Sequence, residues 1–472
     1  MGHLSARPDI GDATPDVLVI GAGLAGSMAA ARAASLGCSV VLVDTAPDPS
    51  AGGNTRLSGG SIHVAGVPLT TAPADLLAHI IDVTHGTARP ELAAALSEHS
   101  GRALAWSMWH GVEVETPTPE DDWRTILAPM RTFDDVHSWP GRGPQRTLQV
   151  LHATVRRLGG HVTGDTRIRE LLRSGATVIG GVTDRGVRIE ARNVVLADGG
   201  FQSDPELRQR HIGSAADRIF IRGASSGRGD GLRMGLEAGA TTVNMAGFYG
   251  HCLHRDSLTN DRLWPMPVLD GLLVDGILVG PDGRRIVDES MGGIAAANAG
   301  AKTPDPHSLW IVIDEAGWEA VEGQSGGTGQ PAANPEIELR GGAIHRAESA
   351  NELARLIRLD ERTLVKTIAE YSDAAASGHL PEISVPRKAG GRQLKPPFLA
   401  IPAIPGITFT TGGLLTDAST RVLGPDERPI VGLYAAGGTA GGLQDGASGI
   451  YVGGLAPALV FGLLAGEAAA RS

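Results

Sequence analysis

Apolar residues in this chain gather into short unbroken runs that end in glycine. Val17 to Ile20 leads into Gly21-Ala-Gly23-Leu-Ala-Gly26, Asn193 to Ala197 leads into Asp198-Gly-Gly200, and Gly432 to Ala436 ends at Gly437. Runs of this length with no polar alternation predict parallel strands buried on both faces. A small-residue helix pattern from about Ser27 to Leu36 follows the first run, and a further run, Ser39 to Val43, closes on Asp44. Strand, glycine turn, helix, strand and acid in that order predict a dinucleotide-binding βαβ unit. Gly21 permits the tight turn, Gly23 lets backbone approach a pyrophosphate, and Gly26 lets helix and strand pack closely. Ala22 and Ala25 complete the turn, and Asp44 can accept from a ribose hydroxyl. The helix N-terminus offers free N–H groups to phosphates.

Helical periodicity covers Pro73 to His85, Glu91 to Gly111 and Arg146 to Leu158. Val162 to Thr166 and Val178 to Thr183 alternate like strands, the latter pairing with Arg188 to Ala191, and Gly229-Asp-Gly231 opens a helix through Ala238. From about Val243 the pattern changes, and residues 245–400 read as an insert. Within it we expect a strand pair, Gly271 to Val279 and Arg285 to Asp288, joined through Pro281-Asp-Gly283, and a strand from Leu309 to Ile313. A loop from Gly323 to Pro335, a helical pair over Asn351 to Ala376 with Asp360 as a cap, and a proline-bearing linker from Glu382 to Pro397 follow. Strand character returns at Thr408 to Leu415. The uncharged stretch Gly446 to Gly466 carries six glycines and Pro457 between acidic flanks, so it predicts a glycine loop entering a buried helix rather than a membrane span.

At 472 residues the chain exceeds one simple core, so two domains are expected. The 66 glycines and 4% aromatic content fit an α/β protein with many close backbone approaches. A net charge of −11 without any basic run argues against a nucleic-acid partner. Cys38 and Cys252 are too few for a disulfide framework or a cysteine-rich metal site, which fits a cytoplasmic protein. Met1 to Pro15 has no apolar signal core. His251, Cys252 and His254 stand together, but no further ligand cluster supports a metal.

The ordered set Gly53-Asn54 to Gly60, Val194-Val-Leu-Ala-x-Gly-Gly-Phe201, Gly229-Asp-Gly231, Phe409-Thr-x-Gly-Gly413 and Gly432-Leu-Tyr-Ala-Ala-Gly437 spans nearly the whole chain. It resembles the flavoprotein family of soluble fumarate reductases, tricarballylate dehydrogenases and 3-ketosteroid dehydrogenases. Gly52-Gly-Asn-Thr-Arg56 and Gly406-Ile-Thr-Phe-Thr-x-Gly-Gly413 are most similar to tricarballylate dehydrogenase. The resemblance implies FAD and an α/β fold: a Rossmann-like FAD-binding domain, 1–244 and 401–472, interrupted by a mobile α+β capping domain, 245–400. It implies an active site between them, with hydride transfer between flavin N5 and a carbon–carbon bond beside a carbonyl or carboxylate. Gly53, Asn54, Thr55, Ser58, Gly59 and Gly60 would then surround the pyrophosphate and flavin edge. Ile168, Ala197, Asp198, Gly199 and Asp230 would line the cofactor, as would Gly437 and Gly438. Gly454 and Leu455 would begin a final helix whose N-terminus faces the flavin. Two departures stand out: Asp198 where relatives have small or hydroxyl residues, and Gly438 where they often have Glu. Covalently flavinylated members carry a histidine in the 53–60 loop; this chain has none, so non-covalent FAD is expected, with His63 a packing or surface residue.

The catalytic positions depart further. Gly293 follows Ile286-Val-Asp-Glu289 where fumarate reductases carry an arginine proton donor; Phe409 stands for a histidine and Gly449 for a substrate-binding arginine. Fumarate reduction is therefore not expected. Tyr249, His251 and Tyr451 remain as acid–base candidates. The expectation is Tyr451 as base, its pKa lowered by the helix N-terminus, and His251 as the group polarising a substrate carbonyl. Arg222, Arg228 and Arg262 are candidate carboxylate holders. The function expected is an FAD-dependent dehydrogenase that desaturates a bond α,β to a carbonyl or carboxylate of a small molecule. Its electron acceptor is not identified by the sequence. The alternatives are an ene-reductase of the fumarate or urocanate type and an electron-transfer subunit without its own substrate.

Overall fold

The four-residue apolar runs become the centre of a six-stranded sheet because both their faces are covered. The computed structural model describes residues 14–116, 124–130, 140–322 and 331–472. Across the sheet the strand order is Arg421–Leu423, Pro429–Ala435, Asn193–Leu196, Val17–Ile20, Val40–Val43, His161–Thr163, all parallel except the antiparallel edge strand Arg421–Leu423. Alternate side chains enter two different cores: Val17, Val19, Val40 and Leu42 one, Leu18, Ile20, Val41 and Val43 the other.

The first core lies under the Leu24–Ser35 helix, against which Gly143–Arg157 and Leu455–Arg471 pack. A Cβ at Gly462 would meet the Ala25 carbonyl oxygen at 2.5 Å, so the last helix approaches the first closely. Its Glu467 pairs with Arg32 and Arg102. No helix among the described residues is long and apolar enough to cross a membrane. The second core is covered by a three-stranded antiparallel sheet, Ile168–Ser174, Thr177–Thr183 and Arg188–Glu190.

A second six-stranded sheet is built on one long strand, Phe398–Thr410. Phe248–His254, Leu309–Asp314 and His345–Ala347 pair with it antiparallel, and Phe220–Ile221 parallel. Residues 406–407 therefore lie between Phe220–Ile221 on one side and Phe248–His254 on the other. This sheet takes strand residues from both sides of 245–400; where the chain divides into domains, at 244/245 and 400/401, stands as a proposal.

Several expected elements differ. The strand read at Thr408 to Leu415 begins ten residues earlier, at Phe398, and stops at Thr410. A Cβ at Gly412 would strike the Asn244 carbonyl at 2.3 Å, so the chain turns there. The pair 271–279 with 285–288 reduces to Ile277–Val279 and a single bridge from Val279 to Arg285. Asp270–Val274 instead forms a 3-10 turn that buries Leu272 and Leu273. Gly53–Leu57 is a short helix, and so is Ala333–Leu339, which begins in the last residues of the stretch read as a loop; 323–330 lie outside the described residues. Ile168–Ser174 is a strand the pattern did not mark. The helical pair is present as Ala350–Leu356 and Glu361–Ser377, with the Asp360 carboxylate accepting from the Thr363 amide.

His152, 2% exposed, ties two of these helices together through a 2.9 Å hydrogen bond to Ser27 Oγ. Burial, helped by Arg156, lowers its pKa to about 4. Between that value and the ordinary 6.5 the unfolded chain holds the extra proton, so stability falls as the pH drops through this window. Urea midpoints at about pH 7 and about pH 4.5 should fall less in His152→Gln than in the wild type; equal falls would show that His152 contributes nothing to acid sensitivity.

Candidate active site

The glycine-ended strands and the long strand of the second sheet converge on one cavity of about 890 Å³. That is within the roughly 300–1,000 Å³ of cofactor and ligand clefts. Of the sequence-derived cofactor positions, Gly21, Gly23, Ala25, Asp44 and the Gly53–Gly60 candidates line it, with Ile168, Ala197, Asp198, Gly199, Asp230, Gly437, Gly438, Gly454 and Leu455. Ala22 and Gly26 do not. Ala22 donates its N–H to Asp44 Oδ2 at 2.7 Å, and a Cβ at Gly26 would fall 1.8 Å from the Gly21 carbonyl oxygen. These two shape the turn rather than its lining. Asp44 also accepts from the Ala46 amide, at 2.8 Å, and burial raises its pKa despite those bonds.

The two departures have local causes. Asp198 Oδ2 accepts the Gly231 amide at 2.7 Å, so the carboxyl anchors the start of the Asp230–Glu237 helix. Burial, with Asp230 adding repulsion, pushes its pKa up to about 6 against those hydrogen bonds. Asp230 itself is held by Arg167 through bonds of 2.6 and 2.8 Å. At Gly438 a Cβ would lie 3.2 Å from the Gly200 amide nitrogen, a tight fit for any side chain.

The cavity suits a dinucleotide on its own chemistry. A Cβ at Gly23 would meet only Thr55 Oγ1, at 3.6 Å, and one at Gly53 or Gly199 would meet nothing within 4 Å, leaving backbone open to a ligand. Ser61 Oγ and Gln202 Oε1 are buried in the wall without a hydrogen-bond partner, as groups waiting for a ligand are. His63, expected at the surface or in packing, lines the cavity edge-on to Tyr451, ring centres 5.9 Å apart. Burial lowers its pKa to about 4, and its Nδ1 accepts from the Gly66 amide at 3.1 Å.

At the opposite end the Phe248–His254 strand presents Tyr249 and His251 on one face. A bulge between Tyr249 and Gly250 brings their rings edge to face at 5.1 Å. The Tyr249 hydroxyl lies 3.0 Å from His251 Nε2, and His251 Nδ1 lies 2.6 Å from Asp270 Oδ2. Asp270 Oδ1 accepts the Cys252 amide at 3.0 Å, which fixes the carboxylate. An N–H at Nδ1 donating to Asp270 leaves Nε2 to accept from the tyrosine, as in other carboxylate–histidine pairs. Asp270 was not singled out from the sequence. The signal for it is Gly293: a Cβ there would fall 1.8 Å from the Asp270 carboxyl carbon, so the carboxylate fills the space above that glycine.

Both ring nitrogens of His251 are thus engaged, by Asp270 and Tyr249, a different contact from the expected one on a substrate carbonyl. The expectation of a lowered Tyr451 pKa is also overturned. Burial pushes this phenol well up, outweighing the Gly454 amide at the helix start and Arg222. Tyr249 is raised too, by burial above all; Arg222 pulls it down and Asp270, the smaller influence, pushes it up. Its ring stacks on Tyr451, 4.2 Å away, and on Phe409, 5.1 Å away, and those two rings lie 6.4 Å from each other. Among the arginine candidates only Arg222 lines the cavity. Arg228 bonds the Ser225 carbonyl and Arg262 the Leu339 carbonyl at exposed positions. His254 is buried against the Ala343 carbonyl, outside the cavity. Among the described residues no cluster of three or more His, Cys, Asp or Glu could hold a metal.

The chain matches the FAD binding domain family over residues 16–450. It is 26% identical over 476 residues to a probable fumarate reductase of Shewanella frigidimarina, covering 97% of this chain and 75% of the relative. It is 26% identical over 524 residues to a 4-oxocyclohexanecarboxylate 2-dehydrogenase of Sinomonas cyclohexanicum, covering 90% and 87%. Its fold superposes on a 3-ketosteroid-delta4-(5alpha)-dehydrogenase from Rhodococcus jostii with a TM-score of 0.72 at 23% identity, over 99% of both chains.

The absence of a histidine from 53–60 makes non-covalent attachment of the cofactor the expected state. Acid precipitation of the yellow protein should release all colour into the supernatant; colour retained in the pellet would point to a bond, with His63 the nearest candidate.

Proposed function

The chain belongs to the FAD binding domain family, and on that premise we propose that it is a dehydrogenase that desaturates a carbon–carbon bond next to a carbonyl or carboxylate. The observation that carries the reading is the Asp270–His251–Tyr249 chain of hydrogen bonds, which ends at the cavity. FAD bound along the glycine-lined end supplies the hydride acceptor. The protein's own residues handle the proton. Tyr249 takes the α-proton as its own hydroxyl proton passes to His251 Nε2, and Asp270 stabilises the imidazolium that results. A buried phenol is a poor base alone; the histidine behind it makes the transfer feasible. Tyr451 and Phe409 hold the Tyr249 ring in line by stacking.

Relatives named for a reductase and for a dehydrogenase both exist, and the same relay run backwards donates a proton. In that second reading, ene-reduction, Tyr249, which burial keeps on the protonated side, delivers its proton to the α-carbon and draws a replacement from the His251 imidazolium. In either direction fumarate is a poor substrate, because Gly293, Phe409 and Gly449 stand where the resemblance implies an arginine proton donor, a histidine and a substrate-binding arginine. The proposal includes a separate electron acceptor and a cytoplasmic location, the latter from two unpaired cysteines.

Anaerobic bleaching of the flavin across a panel of cyclic ketones and acids identifies the substrate. With it, Tyr249→Phe should slow flavin reduction by on the order of a hundredfold or more, with FAD content unchanged, while Tyr451→Phe costs less. The reverse ranking would return the acid–base role to Tyr451.

A further inference from the structure

Arg222 sits where the short Phe220–Ile221 strand leaves the second sheet, its amide donating to the Ile407 carbonyl at 2.8 Å. The side chain reaches into the cavity beside Tyr249, Tyr451 and Asp270. Nη1 donates to Thr408 Oγ1 at 2.9 Å, and Nε is buried without a partner. Among the described residues no carboxylate pairs with this guanidinium. Asp270, whose charge acts on the guanidinium, already accepts from His251 and Cys252. The side chain keeps some accessible surface because it lines the cavity, yet it is deep enough that burial lowers its pKa.

A desolvated cation with an unused donor and no paired carboxylate is an unbalanced arrangement that a bound anion would complete. Beside it stands an aromatic wall. Phe409, Tyr249 and Tyr451 pack against one another as a cluster of three rings, and Trp264 and Met266 also line the cavity. In a chain with 4% aromatic residues this is a marked concentration. Arg124 and Arg167 also line the cavity, but Arg167 is paired with Asp230, and Arg222 is the cation beside Tyr249 and Tyr451; a cation beside flat apolar surfaces recognises a carboxylate on a flat or cyclic hydrocarbon body.

We propose that Arg222 anchors the single carboxylate of a ring-bearing substrate whose hydrocarbon body lies along the Phe409–Tyr249–Tyr451 wall. This rests on reading the cavity as the substrate site of a carbon–carbon oxidoreductase and names the substrate class. Arg222 is a specificity residue here; the proton relay does not pass through it.

The test is binding without turnover, on the oxidised FAD-loaded protein. Titration with trans-cinnamate and with its uncharged analogue cinnamamide is followed by the perturbation of the flavin absorbance. Wild type should bind the acid more tightly than the amide. Arg222→Met should weaken cinnamate by roughly ten- to a hundredfold, the worth of a charged hydrogen bond, and leave cinnamamide within about twofold. Arg222→Lys should restore part of the loss, and Arg222→Gln reads the same loss if the methionine variant does not fold. Equal weakening of acid and amide would make Arg222 a packing residue. Loss of FAD from purified Arg222→Met would make it a cofactor ligand, and a wild type that binds both alike, or neither, would also overturn the proposal. A silent Tyr249 relay would leave this binding pattern intact, so the two readings fail separately.

Discussion

The site depends on a missing side chain. At Gly293 there is room for the Asp270 carboxylate and for nothing else, since a Cβ would overlap the carboxyl carbon at 1.8 Å. Asp270 placed there holds His251 at 2.6 Å, and His251 holds Tyr249 at 3.0 Å. Tyr249 in turn stacks on Phe409 and Tyr451. Gly293 and Phe409 are two of the positions at which the resemblance implies a departure from fumarate reductases. They belong to one arrangement, the carboxylate–histidine–tyrosine chain and the rings packed on it.

Two sheets meet to build that arrangement, and the long Phe398–Thr410 strand serves both ends of the cavity. Thr408 contributes its carbonyl to Asn54 Nδ2 at 3.0 Å and its hydroxyl to Arg222. Thr410 Oγ1 accepts the Phe201 amide at 3.3 Å. Backbone and side chains of one strand thereby link the glycine-lined cofactor end to the aromatic wall. Buried ionisable groups concentrate along this seam, as they do at sites that move protons.

The cofactor half was legible because its signal is local. Val17 to Asp44 carries strand, turn, helix and acid in one contiguous stretch, and small residues leave few alternatives. The second half was legible only in pieces. Tyr249, His251 and Arg222 could be named, but their roles follow from contacts made across long sequence separations. Tyr451 was assigned a lowered pKa from the helix start at Gly454, a short-range argument that burial outweighs. Asp270 escaped notice because an acid before glycine reads as a turn, and its partner in space is a glycine 23 positions on, with no side chain to flag it. The register of Phe398–Thr410 was hidden by Pro402 and Pro405, which argue against a strand by local rules.

The central claim is that Gly293 exists to admit the Asp270 carboxylate, and one substitution addresses it directly. In Gly293→Ala the added methyl displaces only the end of the Asp270 side chain, so the fold and the FAD content should survive while the His251 hydrogen bond is lost. Stopped-flow reduction of the flavin by a compound that bleaches the wild type should then slow by on the order of a hundredfold. Wild-type reduction rates in an FAD-replete Gly293→Ala protein would contradict the account.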